Sequence, residues 1–119
     1  MNSYKDLKVW QHSIELAVQC YRFTEGFPKS EAYGLTAQIR RAAASIAANI
    51  AEGHGRENTG SFIQFLRIAQ GSLKELETHL IIAERVELLA TQPFQSLSKQ
   101  CDEIGRMIRA LIRSLQEKT

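Results

Sequence analysis

The sequence predicts an all-α protein, an antiparallel up-down-up-down four-helix bundle. Apolar residues recur every three or four positions in four long segments, and no run alternates with period two for long enough to form a strand. Short connections rich in Gly, Pro and Asn separate these segments. The 119 residues suit one domain, residues 1–119, with helices at about 4–26, 30–54, 59–89 and 92–117.

The first helix is predicted from a regular apolar stripe. Ser3 to Asp6 has the form of a capping box before the helix, and the Gly26-Phe27-Pro28 sequence ends it. The stripe that we expect to face the core is Leu7, Trp10, Ile14, Ala17 and Tyr21.

The second helix is dominated by small residues, which allow neighbouring helices to approach closely. Ser30 is the expected N-cap, and the helix is expected to end near Gly53, before a loop over residues 53–60. Its stripe is Leu35, Ile39, Ala42, Ile46 and either Asn49 or Ile50.

The third and fourth helices carry the most regular patterns. Their spacing of three and four residues indicates near-parallel packing with a slight supercoil. Gly71 in the third helix predicts either a tight helix crossing or a glycine that is merely tolerated. The two stripes are Phe62, Leu66, Ala69, Leu73, Leu76, Leu80 and Ala83, and then Phe94, Leu97, Cys101, Ile104, Ile108, Leu111 and Leu115.

Several residues beside these stripes need a separate explanation. Asn49, with Glu52 and Ser72 as further structural polar residues, either fixes the register between helices or contacts a ligand. Apolar residues outside the stripes indicate either irregular packing or a surface for self-association. The candidate oligomer interface is Phe65, Ile68 and Ile82.

No motif for catalysis or metal binding is present. The three His residues lack a Glu at the spacing of a di-metal bundle, and no zinc, P-loop or activated-nucleophile pattern occurs. We therefore expect a non-enzyme without cofactor or metal. Cys20 and Cys101 are expected to be reduced and buried, or else to bridge the first and last helices. No secretory signal or membrane-spanning run occurs, so a cytoplasmic protein that does not contact membranes is expected.

The remaining functional signal is electrostatic. The formal net charge is +2, and residues 93–119 alone contribute five basic and three acidic side chains. Basic residues recur along the fourth helix in a line, which indicates either a phosphate-binding surface or a solvated helix face. The candidate nucleic-acid-binding residues are Arg40, Arg41, Arg56, Arg106, Arg109 and Arg113.

Four motifs then relate the chain to known proteins. They are DLKVWQ at residues 6–11, LTAQIRRA at 35–42, SIAANIAEG at 45–53 and AQGSLKELE at 69–77. Together they resemble the bacterial four-helix-bundle family encoded within intervening sequences of 23S ribosomal RNA genes. The resemblance implies a small cytosolic bundle that forms a ring-shaped homopentamer. The accessory variability proteins of diversity-generating retroelements are similar pentamers that bind nucleic acid, but they are more basic than this chain.

The residues predict a non-enzymatic oligomeric bundle that binds RNA or DNA through its basic faces, and the resemblance implies that the oligomer is a homopentamer. The alternative is a scaffold that docks another protein through its surplus apolar surface.

Overall fold

Four α-helices make up nearly all of the computed structural model, which describes residues 3–118. They are α1 (Lys8–Thr24), α2 (Leu35–Gly55), α3 (Thr59–Arg85) and α4 (Thr91–Glu117), and the described residues contain no strand. Short 3-10 turns precede α1 at Tyr4–Asp6 and α2 at Lys29–Glu31. The predicted all-α class is confirmed.

The helices follow one another around the bundle in chain order. Each packs against its neighbours in sequence, and α1 against α4 closes the ring, so that α1 and α3 lie on one diagonal and α2 and α4 on the other. The molecule measures 47 × 22 × 20 Å. Because each connection is short, consecutive helices run antiparallel, as the sequence predicts.

The core is aliphatic and is supplied by all four helices. In α3 the predicted stripe is buried from Leu66 to Ala83, and Phe62 packs partly buried at its start. In α4 the stripe is buried from Leu97 to Ile108, after which Ile112 is buried and Leu111 and Leu115 lie at the margin. Each fully buried Leu or Ile stabilises the fold by roughly 1.5–3 kcal/mol relative to an exposed one.

The predicted core stripe of α1 is wrong at two of its five positions, because Ile14 and Tyr21 are 38% and 44% exposed. Leu7 is buried, and Trp10 and Ala17 pack partly buried against the core. The buried residues of α1 are Val9, Ser13, Leu16, Cys20 and Thr24.

Two hydroxyl groups explain this difference. The Ser13 hydroxyl donates to the Val9 carbonyl at 2.7 Å, and the Thr24 hydroxyl donates to the Cys20 carbonyl at 2.7 Å. Since their own helix satisfies both hydroxyls, small polar residues can face the core without a large desolvation cost.

The boundaries of α2 also differ from the prediction. Ser30 is exposed and does not cap it; the Glu31 carboxylate accepts from the Leu35 amide at 3.1 Å, where the helix begins. Because α2 continues through Gly55, only residues 56–58 separate α2 from α3. The Asn58 side chain then caps α3 by accepting from the Ser61 amide at 2.9 Å.

α3 is shorter than predicted, because it ends at Arg85 rather than near Leu89. Glu87 follows in the left-handed region with φ of 66°, and Leu89 returns to the core. The chain then enters α4 at Thr91.

The tight helix crossing lies at Gly53, not at Gly71. A Cβ on Gly53 would lie 3.1 Å from Cδ1 of Phe62, and Phe65 is closer still. Gly71 is exposed, and a Cβ there would meet open space within the described chain. The predicted intramolecular crossing at Gly71 is therefore wrong.

Candidate nucleic-acid interface

A basic groove runs between α3 and α4. Its volume is about 260 Å³. The residues that line it are Arg67, Gln70, Arg109, Ile112, Arg113 and Gln116. Arg67, Arg109 and Arg113 are exposed, whereas Ile112 is buried at the base.

The arginines of this groove have no carboxylate partner among residues 3–118. The ion pairs in that range join Arg56 to Glu52 and Lys74 to Glu77. Three positive charges therefore share one groove without local neutralisation, which is an arrangement that attracts anions.

Gly105 lies where α4 packs against α3, one turn before Arg109. A Cβ on Gly105 would lie 3.4 Å from Cδ2 of Leu73 and 3.5 Å from Nη1 of Arg109. Both distances are ordinary van der Waals contacts, so Gly105 lies beside the α3 core residue and the Arg109 guanidinium.

The six arginines predicted from sequence do not form one surface. Arg109 and Arg113 line the groove, and Arg106 is exposed on the same helix, seven residues before Arg113 and so nearly on the same side. Arg41 is exposed on α2. Arg40 and Arg56 lie elsewhere and have partners within the chain.

Arg40 joins α2 to the C-terminal end of α1. Its Nε donates to the Thr24 hydroxyl at 2.8 Å and its Nη2 donates to the Tyr21 carbonyl at 3.3 Å. Its guanidinium also lies 4.8 Å from the centroid of the Tyr21 ring. A cation at a helix C-terminus is electrostatically favourable, so this geometry indicates a structural role.

Arg56 has partners at the other end of α2. Its Nη2 lies 2.8 Å from the Glu52 carboxylate, and its guanidinium lies 5.0 Å from the Phe65 ring centroid. Glu52 therefore belongs to an exposed ion pair rather than to the polar group around Asn49.

A polar cluster joins α2 to α3 near the middle of both helices. The Ser45 and Ser72 hydroxyls share a hydrogen bond of 2.8 Å. The Asn49 side-chain amide donates to the Ser45 carbonyl at 2.8 Å and to the Ser45 hydroxyl at 2.9 Å. These contacts account for Asn49 and Ser72 within the chain and specify how α2 and α3 align.

Exposed apolar residues lie on both sides of α2. Tyr21 contacts Arg40, so its side of α1 faces α2, and Ile14 lies two turns earlier on that side. Ser72 contacts Ser45 from α3, and Ile68 lies one turn before Ser72. We define the apolar face as these flanks together with the small exposed residues of α2 between them: Ile14, Val18, Tyr21, Ala44, Ala48, Ile68 and Ile82.

The three residues of the candidate oligomer interface divide into two groups. Ile68 and Ile82 are 46% and 44% exposed on the apolar face. Phe65 is partly buried against Gly53 and Arg56, so it packs α3 onto α2.

The described residues contain no recognisable reaction centre. No group of three metal-ligating side chains occurs in residues 3–118. Burial raises the pKa of Cys20 to about 12 and also raises the pKa of Cys101, so neither thiol is an activated nucleophile. A second, open depression of about 780 Å³ is lined in part by His54, which lies edge-on to Phe62 and hydrogen-bonds to no nucleophile in that range.

None of the helices within residues 3–118 carries an apolar stretch that would cross a bilayer.

The sequence alone does not identify Arg67 and Gln70 as residues that line the groove. Each occupies an ordinary polar position on α3, and nothing in their local sequence distinguishes them. The signal lies in the antiparallel alignment of α3 with α4, which places Leu73 beside Gly105 and brings the preceding turns of α3 beside Arg109 and Arg113.

Comparison with known proteins identifies the family of the chain. The pattern that defines the 23S rRNA-intervening sequence proteins matches residues 5–110. The chain belongs to this family. The matched residues include all four motifs that carry the resemblance and extend into α4.

A solved structure supports this family assignment. It is the 1.70 Å crystal structure of a protein of unknown function from the S23 ribosomal protein family of Bacteroides thetaiotaomicron VPI-5482. The two chains share 28% sequence identity with a TM-score of 0.79, and the alignment covers 87% of this chain and 97% of the other. No curated protein matches the chain.

Proposed function

We propose that this protein is a non-enzymatic, self-associating bundle of the cytoplasm that binds RNA through the basic face of α4. The observation that carries the proposal is the run of residues 104–116, which contains Arg106, Arg109 and Arg113 and no acidic residue. All three arginines are exposed, and none forms an ion pair within the described chain.

Arginine is suited to this role because its planar guanidinium donates paired hydrogen bonds to phosphate oxygens. Contacts to the phosphate backbone supply affinity that tolerates different sequences and falls steeply with salt. The name of the S23 ribosomal protein family, to which the structural neighbour belongs, favours RNA over DNA as the nucleic acid.

Self-association would compensate for the modest charge of one chain. A homopentamer of chains with a formal charge of +2 would carry five basic faces and about +10 in total. The apolar face supports such an assembly, since it gathers exposed apolar side chains from three helices and such surfaces are typical of interaction sites.

The two surfaces are compatible because they lie on different sides of α3. Arg67 and Ile68 are consecutive, so their side chains diverge by about 100° around the helix. Arg67 faces the α4 side and Ile68 the α2 side. Contacts through the apolar face therefore leave the basic groove open to solvent.

RNA binding can be tested by fluorescence anisotropy with a labelled structured RNA, with duplex DNA as a second ligand, at two salt concentrations. We expect micromolar or tighter binding to RNA at low salt, and a large loss when Arg106, Arg109 and Arg113 are all replaced by Gln. In the matched control, the exposed residues Lys8, Arg22 and Lys29 are all replaced by Gln, which lowers the net charge by the same amount as the arginine variant. Equal losses in both triple variants, or no binding by the wild-type protein, would contradict the proposal.

Self-association can be tested by light scattering. A pentamer of the 13.4 kDa chain would have a mass of about 67 kDa. Ile82→Gln should lower the measured mass, whereas Ile81→Gln should not, because Ile81 is similarly exposed at 41% but lies about 100° away on the α3 surface. A wild-type mass near that of a monomer would contradict the proposal.

The apolar face also supports the second candidate function, a scaffold that docks another protein. That candidate gains support if the wild-type protein is a monomer and a defined protein is recovered with it after nuclease treatment. Loss of this recovery in Ile82→Gln, but not in Ile81→Gln, would locate the docking surface.

A further inference from the structure

We infer that the groove between α3 and α4 is a discrete binding site for a phosphate group of the RNA backbone, with Arg67 of α3 as a phosphate ligand beside Arg109 and Arg113 of α4. This inference rests on the proposed RNA binding and makes it more specific. It predicts a site formed by side chains of both helices, rather than a diffuse electrostatic attraction to α4 alone.

The three guanidinium groups reach the groove from two different directions. Arg109 and Arg113 are one helical turn apart on α4, and Arg67 lines the opposite wall. Each guanidinium has five N–H donors in a fixed plane, and none of the three has a carboxylate partner within residues 3–118. A phosphate between the walls would accept from donors of both helices.

The other lining residues suit the same ligand. The side-chain amide of Gln70 adds a neutral donor beside Arg67. Ile112, which is only 5% exposed, forms an apolar base. An apolar base adds no negative charge that would repel the phosphate.

The α3 helix offers a closely matched control for Arg67. Arg85 lies eighteen residues later, so it projects from the same side of α3 about 27 Å away. It is exposed, forms no ion pair in the described chain and lies outside the groove. Arg67→Gln and Arg85→Gln thus remove the same charge from the same helix.

The experiment measures the affinity of the full chain for a fluorescein-labelled single-stranded RNA over a range of salt concentrations. We expect Arg67→Gln to weaken binding about tenfold and to lower the slope of log K against log salt by about 0.7, as for one lost phosphate contact on a single strand. Arg67→Lys should weaken binding too, because it keeps the charge but loses the paired donors. Arg85→Gln and Arg85→Lys should bind as the wild type does.

Each outcome has a separate meaning. If the wild type binds RNA and the Arg67 and Arg85 variants weaken binding equally, the discrete site is overturned while RNA binding stands. If Arg67→Lys binds as well as the wild type, the attraction is diffuse and the site is again overturned. If the wild type does not bind RNA at low salt, the proposed function and this inference both fail. Circular dichroism of each variant shows whether the fold is unchanged.

Discussion

Gly53 of α2 and Phe65 of α3 lie so close together that a Cβ on Gly53 would stand 2.6 Å from the Cβ of Phe65. Two such carbons do not approach to this distance without a backbone shift. We expect Gly53→Ala to destabilise the protein by about 1–2 kcal/mol, because overpacking outweighs the gain of up to about 1 kcal/mol in helix propensity. Urea unfolding followed by circular dichroism measures this change.

Gly55 provides the control in the same helix. A Cβ there would meet no atom within 4 Å in the described chain, and its φ is not positive. Gly55→Ala should therefore leave the free energy of unfolding unchanged or raise it by about 0.5 kcal/mol. An equal effect of the two substitutions would show that helix propensity, and not the contact with Phe65, controls the result.

Arg40 and Arg41 are adjacent but should respond differently to substitution. Arg40→Gln removes both hydrogen bonds to the end of α1 and the contact with the Tyr21 ring, so we expect a loss of about 1 kcal/mol in stability. Arg41 is exposed, and Arg41→Gln should change stability by less than about 0.5 kcal/mol. Thermal unfolding of both variants tests the difference. If Arg40→Gln is as stable as Arg41→Gln, the contacts with α1 are not stabilising.

The helices that the sequence predicts best are those whose core residues are all apolar. The stripe from Leu66 to Ala83 on α3 can be read directly, because no polar residue interrupts it. On α1 the pattern is misleading, since Ser13 and Thr24 face the core while Ile14 and Tyr21 do not. A hydroxyl that hydrogen-bonds to its own helix can be buried, and the pattern of apolar residues in the sequence does not reveal this.

The candidate site shows a similar limit. Arg109 and Arg113 are predictable, because they lie in a basic line on one helix. Arg67 is not, because it joins them only through the antiparallel alignment of α3 and α4. The sequence also could not show which of Gly53 and Gly71 lies at a close helix contact. Such a contact depends on the neighbouring helix rather than on the glycine itself.

The hydrogen bond between the Ser45 and Ser72 hydroxyls should couple α2 to α3 energetically. We expect Ser45→Ala and Ser72→Ala each to lower stability by about 1 kcal/mol. In the double variant the cost should be less than the sum by about 0.5–1 kcal/mol, because the shared hydrogen bond can be lost only once. Urea unfolding of the wild type and the three variants gives the coupling energy between the two hydroxyls. Additive effects would contradict a stabilising role for this contact.

The two buried cysteines should make the protein less stable at high pH. Burial raises the pKa of Cys20 to about 12, and burial together with the Glu77 carboxylate raises that of Cys101, from an ordinary value of 9.0. Below about pH 9 both thiols are protonated in the folded and the unfolded chain, so their full contribution to stability is present. Above that pH the unfolded chain releases protons that the native chain retains, and each thiol lowers the free energy of unfolding by about 1.4 kcal/mol per pH unit until the folded pKa is reached.

Replacement of one thiol isolates this effect from the titration of Lys and Tyr residues, which both proteins share. Cys20→Ala should be less stable than the wild type at pH 7, because it leaves a small cavity, but its stability should fall less steeply between pH 9 and pH 11. Urea unfolding in the presence of a reducing agent at each pH measures the two slopes. Since the thiols are buried, a thiol-specific reagent at pH 8 should also label them only at the rate of unfolding. Parallel stability curves for the two proteins, or rapid labelling of the native chain, would show that the cysteines are not buried as the structure places them.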